Sequence, residues 1–226
     1  MNRLHIFILG LFTGYSVTGQ NSLIRPLASF NAVKVSEGIE VHLEKGEEET
    51  ASLEVWGTDA ENIRTELHGE MLKIYLNSGS YPGAKIVVHL SYKVLGGVFA
   101  GSGAKVYARQ PVQASKLYIR AGSGAAVMLP VEAERVEVQA STTATVKLEG
   151  RVRQLVAFVS SSGTLQALDL QADEVKIQAE TDGSARVYVL NELEATATTT
   201  GNIRYKGNPS RSVIQSFTAG TVRKLD

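Results

Sequence analysis

The chain has 226 residues, with 23 basic and 23 acidic side chains and a formal net charge of zero. Because nucleic-acid-binding domains are usually strongly basic, this balance argues against a nucleic-acid partner. The absence of cysteine excludes disulfides, thiolate metal sites and a lipid anchor on cysteine.

Residues 1–19 are typical of a secretory signal peptide. Arg3 supplies a short positive region, an apolar stretch runs over residues 6–12, and small residues precede an expected cleavage before Gln20. The apolar stretch is much shorter than the roughly 20 residues of a membrane span, although an uncleaved anchor or a buried strand stays open as an alternative. No later segment is apolar enough to cross a bilayer. We therefore expect an exported protein, in the periplasm, on the outer-membrane surface or outside the cell.

Residues 27–85 show strand patterns that do not repeat. Apolar residues alternate with polar ones from Val33 to Leu43, with a turn at residues 36–38 and a charged loop over residues 44–50. Further strands are expected near Leu53 and over residues 66–76. This segment predicts a non-repeating N-terminal β cap.

Residues 86–217 repeat with a period of about 20 residues. Small, turn-forming clusters begin at regular intervals, and each is followed by an alternating strand, a polar turn and a second strand. The second strands each begin with an aliphatic residue, with spacings of 19, 19, 20 and 18. These aliphatic residues are Leu117, Val136, Leu155, Val175 and Leu193. A fixed period of this size indicates one structural unit stacked on itself.

The repeat predicts two columns of strands that are parallel and in register. A parallel stack without crossover helices is a β-helix, and parallel crossovers favour a right-handed path. We therefore predict an all-β fold: a right-handed parallel β-helix with about 20 residues per coil, its repeat beginning near Ile86, in a single unit over residues 27–226. One inward stack is predicted to comprise Val106, Val127, Val146, Leu165, Val187 and Ile203, and the second to comprise the aliphatic residues above. A hydroxyl column at the corners is predicted to comprise Ser102, Ser123, Thr142 and Ser162.

Three segments resemble one known family. They are the Gly-Ser-Gly-Ala turns at residues 101–104 and 122–125, the opening over residues 30–41, and the closing segment over residues 201–209. Together they resemble the "putative auto-transporter adhesin" family with a head GIN domain, over residues 30–210. The most specific part is the closing motif, formed by Gly201, Asn202, Ile203, Tyr205, Gly207 and Pro209. The resemblance implies an exported bacterial envelope protein with a β-helical fold and an adhesive role.

The sequence offers no obvious catalytic constellation, cofactor site or metal site. β-Helices also carry polysaccharide lyases, but the acids near the repeat turns, Asp169, Asp173 and Asp182, fall at different registers and would not converge. His42 and His89 should both point outward on strands that could be neighbours. Two histidines can contribute to a metal site, and solvated strand histidines are the alternative. We expect a protein that is not an enzyme and needs no cofactor.

One predicted surface has a bias that suits a ligand. The outward positions of the first strand column are basic with interspersed tyrosines, whereas those of the second column mix charges. Tyrosine and arginine suit sugar rings and anionic groups, through stacking and charge-assisted hydrogen bonds. The predicted binding residues are Lys105, Tyr107, Arg109, Lys147, Arg186, Tyr188 and Arg204. The expected partner is an acidic glycan or another envelope polymer. A lyase-like enzyme and a structural or protein-interaction module stay open as alternatives, as does the oligomeric state.

Overall fold

The computed structural model describes residues 23–226. The predicted signal peptide therefore lies outside the described residues. Over residues 23–226 the chain forms strands and a single 3₁₀ turn, Ala60–Asn62. The strands are β1 Leu23–Pro26, β2 Ala32–Val35, β3 Glu40–Lys45, β4 Thr50–Trp56, β5 Ile63–His68, β6 Met71–Leu76, β7 Lys85–Tyr92, β8 Gly97–Ala100, β9 Lys105–Ala108, β10 Val112–Ala121, β11 Ala126–Ala140, β12 Thr145–Val159, β13 Thr164–Ala179, β14 Ser184–Ala197, β15 Asn202–Lys206, β16 Arg211–Ser216 and β17 Thr221–Lys224.

The predicted parallel solenoid is confirmed, with about 7 turns of about 19 residues. In the first column, β9, the start of β11, β12, β13 and β14, and then β15 and β17 pair in parallel. In the second column, β8, the end of β10 to β14, and then β16 pair in the same way. The long strands β11 to β14 bend between the two columns, and their middle parts form a third side of the coil.

The first part of the chain joins the stack out of sequence order. β3 pairs in parallel with both β7 and β9, and β2 pairs in parallel with both β6 and β8. The strand at residues 86–90 is therefore two layers from the strand at residues 105–109, and not its neighbour as the period suggests. The sequence period cannot show this order, because the pairing of β3 with β9 joins segments more than 60 residues apart.

A small antiparallel layer covers the N-terminal end of the stack. Among the described residues, β5 pairs only with β6, β4 pairs with β7, and β1 pairs with β4, all antiparallel. The Arg25 guanidinium fastens this layer, because it donates hydrogen bonds to the carbonyl oxygens of Ala60 and Ile63, both at 2.7 Å. The non-repeating N-terminal part thus contributes a cap, formed by β1, β4 and β5. It also contributes ordinary parallel layers of the stack, formed by β2, β3, β6 and β7.

Each coil turns one corner with the same four-residue geometry. The two central residues have positive φ, for example 49° at Ser102 and 73° at Gly103, and the fourth residue donates back to the first. The turn at residues 141–144 keeps this geometry although both central residues are threonine, with φ of 50° and 60°. The corner amides bond to the carbonyl of the next coil, at 2.9 Å from Gly103 to Ser123. This ladder holds even β-branched residues in a conformation that they rarely adopt alone.

The inward stacks follow the predicted alternation, with two corrections. The stack from Leu117 to Leu193 is confirmed as predicted, and every member is buried. In the other stack Ala185, and not Val187, lies between Leu165 and Ile203. At the corners, Ser161 takes the position expected for Ser162. Val187 is a larger side chain two residues from Ala185, and Ser162 carries a hydroxyl one residue from Ser161, so each gives an equally good pattern in the sequence.

Candidate functional site

The outward surface of the first column, called here the first face, carries one continuous file of side chains. Each member is the direct pairing partner of the next, so neighbouring members are one strand spacing apart, roughly 4.8 Å. This outward file runs His89, His42, Tyr107, Met128, Lys147, Gln166, Arg186, Arg204 and Arg223. It is aromatic at one end and cationic at the other.

The cationic end has no carboxylate partner. Arg186, Arg204 and Arg223, called here the arginine ladder, come from β14, β15 and β17 and stand directly above one another. Within residues 23–226 no ion pair or side-chain hydrogen bond reaches any of the three, or Lys147. Like charges directly opposite each other in a sheet repel. An anion laid along the ladder would remove that repulsion and accept charge-assisted hydrogen bonds.

The residues beside the arginine ladder leave it accessible. The preceding outward position holds the neutral Ser184, Asn202 and Thr221. On the other side Tyr188 is paired with Lys206, whose ammonium lies 5.0 Å from the tyrosine ring centroid. An amphipathic ring beside a row of cations suits a ligand that carries both flat sugar surfaces and negative groups.

The outward surface of the second column, the second face, is charged but internally paired. Glu137 accepts from Lys116 at 3.0 Å and from Arg135 at 2.8 Å, and the two contacts hold the pKa of Glu137 below its usual range, Lys116 having the larger effect. The contact with Tyr118, followed by that with Glu137, raises the pKa of Lys116. Further pairs join Arg153 to Glu174, Lys176 to Glu194 and Arg211 to Glu192. These cations already have anionic partners.

The aromatic end of the outward file is a packed cluster. The rings of His42 and His89 stack with centroids 5.3 Å apart, and Tyr107 lies 5.4 Å from His42 on the other side. Glu40 bonds His42 at 2.7 Å, and Glu54 lies 3.3 Å from His89. The outward and neighbouring placement expected for the histidines is therefore observed, and both imidazoles have carboxylate partners.

A surface cavity of about 370 Å³ adjoins this cluster. His42, His89 and Arg109 line it together with Glu44 and Gln110. A second cavity of about 150 Å³ lies further along the file, between Tyr107, Met128 and Lys147. Glu149 lines the second cavity, so an acid does lie beside the middle of the file. The first face is thus an open, shallow track and not a closed pocket.

The structure places the seven predicted residues in three positions. Tyr107, Lys147, Arg186 and Arg204 belong to the outward file. Lys105 and Tyr188 lie two residues before and after the file on the same face, and Arg109 lines the cavity at its histidine end. The sequence pattern did not place Arg223 in the file, because β17 lies beyond residues 86–217, the range predicted to repeat. Its pattern, Thr-Val-Arg-Lys after a small turn, was the available signal.

The closing motif of residues 201–209 forms the structure of a coil. Gly201 closes the corner turn, and a Cβ there would collide with the carbonyl oxygen of Ala179. Gly207 has a φ of 111°, and a Cβ there would collide with the carbonyl oxygen of Val189. Ile203 is fully buried, and Tyr205 packs against the core.

The other polar members of the motif have local roles. Asn202 donates to the Thr221 hydroxyl at 2.6 Å, which ties β15 to β17. Pro209 lies between β15 and β16, where the chain leaves the first column. The geometry explains these residue types by close backbone approach and packing.

The three acids near the repeat turns do not meet. Asp169 pairs in register with Glu149, Asp173 lies 3.8 Å from Arg151, and Asp182 accepts from Thr200 at a corner. Across residues 23–226, no three His, Asp or Glu side chains cluster so as to hold a metal ion. No helix in this part of the chain is long and apolar enough to cross a membrane.

Comparison with known proteins agrees with the architecture. The family model "Putative auto-transporter adhesin, head GIN domain" matches residues 29–209. The chain belongs to this family. The resemblance noted in the sequence is therefore confirmed, over nearly the same residues. No curated protein matches the chain.

Solved structures share the fold at low sequence identity. A "putative adhesin" from Bacteroides fragilis has a TM-score of 0.78 and 18% identity, covering 90% of this chain and 96% of that one. A "putative adhesin" from Parabacteroides merdae has a TM-score of 0.75 and 22% identity, covering 91% and 95%. A "putative lipid binding protein" from Parabacteroides distasonis has a TM-score of 0.67 and 18% identity, covering 91% and 97%. At these identities the likeness establishes the fold alone.

Proposed function

We propose that this family member is an exported, non-enzymatic adhesin-like protein that binds an anionic envelope polymer, such as an acidic glycan, along its first face. The observation that carries the proposal is the arginine ladder, three stacked arginines that have no carboxylate partner among residues 23–226. Most cations of the second face contact an acid, and Arg120 donates instead to Gln139, whereas the arginine ladder has neither kind of partner among residues 23–226. A linear polymer with regularly spaced negative groups fits a straight row of cations better than a compact ligand does.

The non-enzymatic part of the proposal rests on the surface geometry. The outward file is a shallow track. The in-register acids Glu149 and Asp169 do not share a cavity, because the cavity of about 150 Å³ beside Glu149 is not lined by Asp169. Glycosidases place two carboxyl groups about 5–10 Å apart across a bound sugar. Binding by a row of cations requires no such pair, and it fits the adhesive role that the family name suggests.

The test is a binding measurement with the purified protein and polygalacturonate, with dextran as a neutral glycan. We expect binding to polygalacturonate alone, weakening as salt rises, because the contacts are between exposed charges. The variant R186E/R204E should lose at least tenfold in affinity. The matched control R120E/R151E changes the net charge equally at exposed positions away from the first face, and should bind as the unaltered protein does.

Two results would contradict the proposal. In one, R186E/R204E binds polygalacturonate within twofold of the unaltered protein. In the other, the protein does not bind polygalacturonate, but it binds vesicles of phosphatidylglycerol and does not bind vesicles of phosphatidylcholine. That outcome would assign the ladder to anionic lipid; the name of the Parabacteroides distasonis neighbour also refers to lipid binding.

A further inference from the structure

The second face carries an uncharged stretch beside its charged side chains. Phe99 on β8 and its pairing partners on β10 to β14 form a straight row of outward side chains, with neighbours roughly 4.8 Å apart. This row, called here the amide row, runs Phe99, Arg120, Gln139, Phe158, Gln178 and Thr196. Its last four members carry no charge, whereas the row two residues earlier on the same strands holds Glu137, Lys176 and Glu194.

The charges beside the uncharged stretch are paired within the molecule. Lys176 donates to Glu194 at 2.7 Å, and Glu137 accepts from two cations, as described above. Arg120 donates to the Gln139 side chain at 2.8 Å. An anionic polymer laid along this stretch would therefore meet acids and paired cations, and not the free cations that the arginine ladder offers. The amide row favours a ligand without charge.

The uncharged members of the row keep hydrogen-bonding capacity that the protein does not use. Gln139 uses its side-chain oxygen to accept from Arg120, which leaves its NH₂ group. Gln178 uses its NH₂ group to reach Glu180 at 3.4 Å, which leaves its oxygen. Within residues 23–226 no side-chain hydrogen bond reaches the Thr196 hydroxyl. Donors and acceptors therefore recur along the row at one or two strand spacings, and the hydroxyl groups of a ligand can bond to both.

Two aromatic rings of the row lie on the surface of the sheet. A Cβ at Gly97 would be 2.8 Å from the Phe99 ring, so this ring leans along the strand into the space above the glycine. Phe158 is 36% exposed, and it lines a depression of about 210 Å³ together with Gln139 and Gln178 among others. The two rings are three strand spacings apart, roughly 14 Å. Each ring therefore offers an apolar surface beside hydrogen-bonding groups.

A sugar ring has the chemistry that matches this combination. Its flat face carries C–H groups, which stack on aromatic rings, and its edges carry hydroxyl groups, which bond to amides and hydroxyls. A straight row on a sheet fits an extended chain of such rings better than a coiled one. A β-1,4-linked glucan is neutral, extended and flat, because the substituents of its rings are equatorial. An apolar peptide would cover the aromatic rings but leave the amides and the hydroxyl of the row without partners.

We propose that the amide row is a second binding site, which takes a neutral, extended, β-linked polysaccharide. Sugar faces stack on Phe158 and Phe99, and sugar hydroxyls bond to Gln139, Gln178 and Thr196. The inference does not rest on the binding of an anionic polymer, because the two sites lie on different faces and share no residue. With both sites occupied, the protein would join a neutral polymer to an acidic one.

Calorimetric titration of the purified protein with cellohexaose tests this site. We expect binding that changes less than twofold as salt rises, because no free charge takes part, and no binding of the flexible dextran. Phe158→Ala should weaken the binding of cellohexaose at least tenfold, through the loss of stacking. Thr196→Val removes the hydroxyl but keeps the shape of the side chain, and should weaken binding about threefold. Both side chains point outward, so both variants should fold, which circular dichroism checks.

Met128→Ala is the matched control, because Met128 is 38% exposed, much as Phe158 is, but lies on the first face. This variant should bind cellohexaose as the unaltered protein does. Two results would overturn the inference: no binding of cellohexaose by the unaltered protein, or binding by Phe158→Ala within twofold of it. A third would be self-association, measured by sedimentation, that Phe158→Ala abolishes, since the amide row would then be a contact between copies.

Discussion

The first and second faces of the solenoid are built on the same ladder of parallel strands, but they differ in whether their charged side chains are paired with opposite charges. On the second face, Glu137 lies between Lys116 and Arg135, and Glu174 accepts from Arg153. On the first face Arg186, Arg204 and Arg223 are stacked with no acid among them. Because a parallel in-register stack places equivalent residues in a straight row, one repeated choice of side chain becomes a continuous surface property. The contrast indicates that the second face is stabilised within the molecule, whereas the first face is available to an external anion.

The largest expected effect comes from disturbing the ladder that both faces share. Gly201→Ala places a Cβ against the carbonyl oxygen of Ala179, a backbone atom that cannot move without breaking the corner. We expect a loss of about 3 kcal/mol or more in the free energy of unfolding, measured by urea denaturation. Gly122→Ala is the control, because its nearest neighbour would be the Ser141 Oγ atom at 3.7 Å, an ordinary contact. Equal losses for the two variants would mean that the close approach at Gly201 is not what the corner requires.

A smaller effect on stability, opposite in sign on the two faces, would test whether charges are paired on the second face and unpaired on the first. Arg204→Gln removes the middle charge of the arginine ladder and should raise stability at low salt by about 0.2–1 kcal/mol. Glu174→Gln removes an ion-pair partner on the second face and should lower stability by about 0.2–1 kcal/mol. Both changes should shrink in high salt, because exposed charges are screened. If Arg204→Gln lowered stability instead, the ladder would have an internal partner and the contrast between the faces would fail.

The smallest effect is a pH dependence that belongs to the second face. The pKa of Glu137 is lowered in the folded protein by Lys116 and then by Arg135. The carboxylate therefore contributes stability that is fully present above its unfolded pKa, about 4.5, and is lost as the pH falls through the lower folded pKa. We expect Glu137→Gln to flatten the loss of stability below about pH 4.5. Identical acid unfolding curves for the variant and the unaltered chain would contradict this assignment.

Much of this architecture follows from local pattern. The alternation and the period placed Leu117, Val136 and Leu155 in one buried stack, because side chains alternate across a strand and the coil length is nearly constant. The same reasoning placed Arg186 and Arg204 on one outward face. It failed at Val187, two residues from Ala185, and at Ser162, one residue from Ser161, because in each case a nearby residue of similar type satisfies the pattern equally well. It also left out Arg223, since β17 lies past the repeat that the sequence suggested.

The insertion of β2 and β3 between later strands could not be predicted in this way. Residues 32–45 alternate as any strand pair would, and nothing in their sequence says which edges they join. Their partners, β6 to β9, are up to about 65 residues away along the chain. The same insertion stacks His42 between His89 and Tyr107, and so creates the aromatic end of the outward file.

The sequence by itself determined that the chain is a stack of short parallel coils, which residues face the core, and that one face is basic. These properties depend on periodicity, which is present in the residues of each coil. Only the tertiary structure decided the order of the first layers and the pairing that leaves the arginine ladder without acidic partners among residues 23–226. Those properties depend on which distant strands meet, and hydrogen bonds between backbones, being the same for every residue, carry no local sequence signal for that choice.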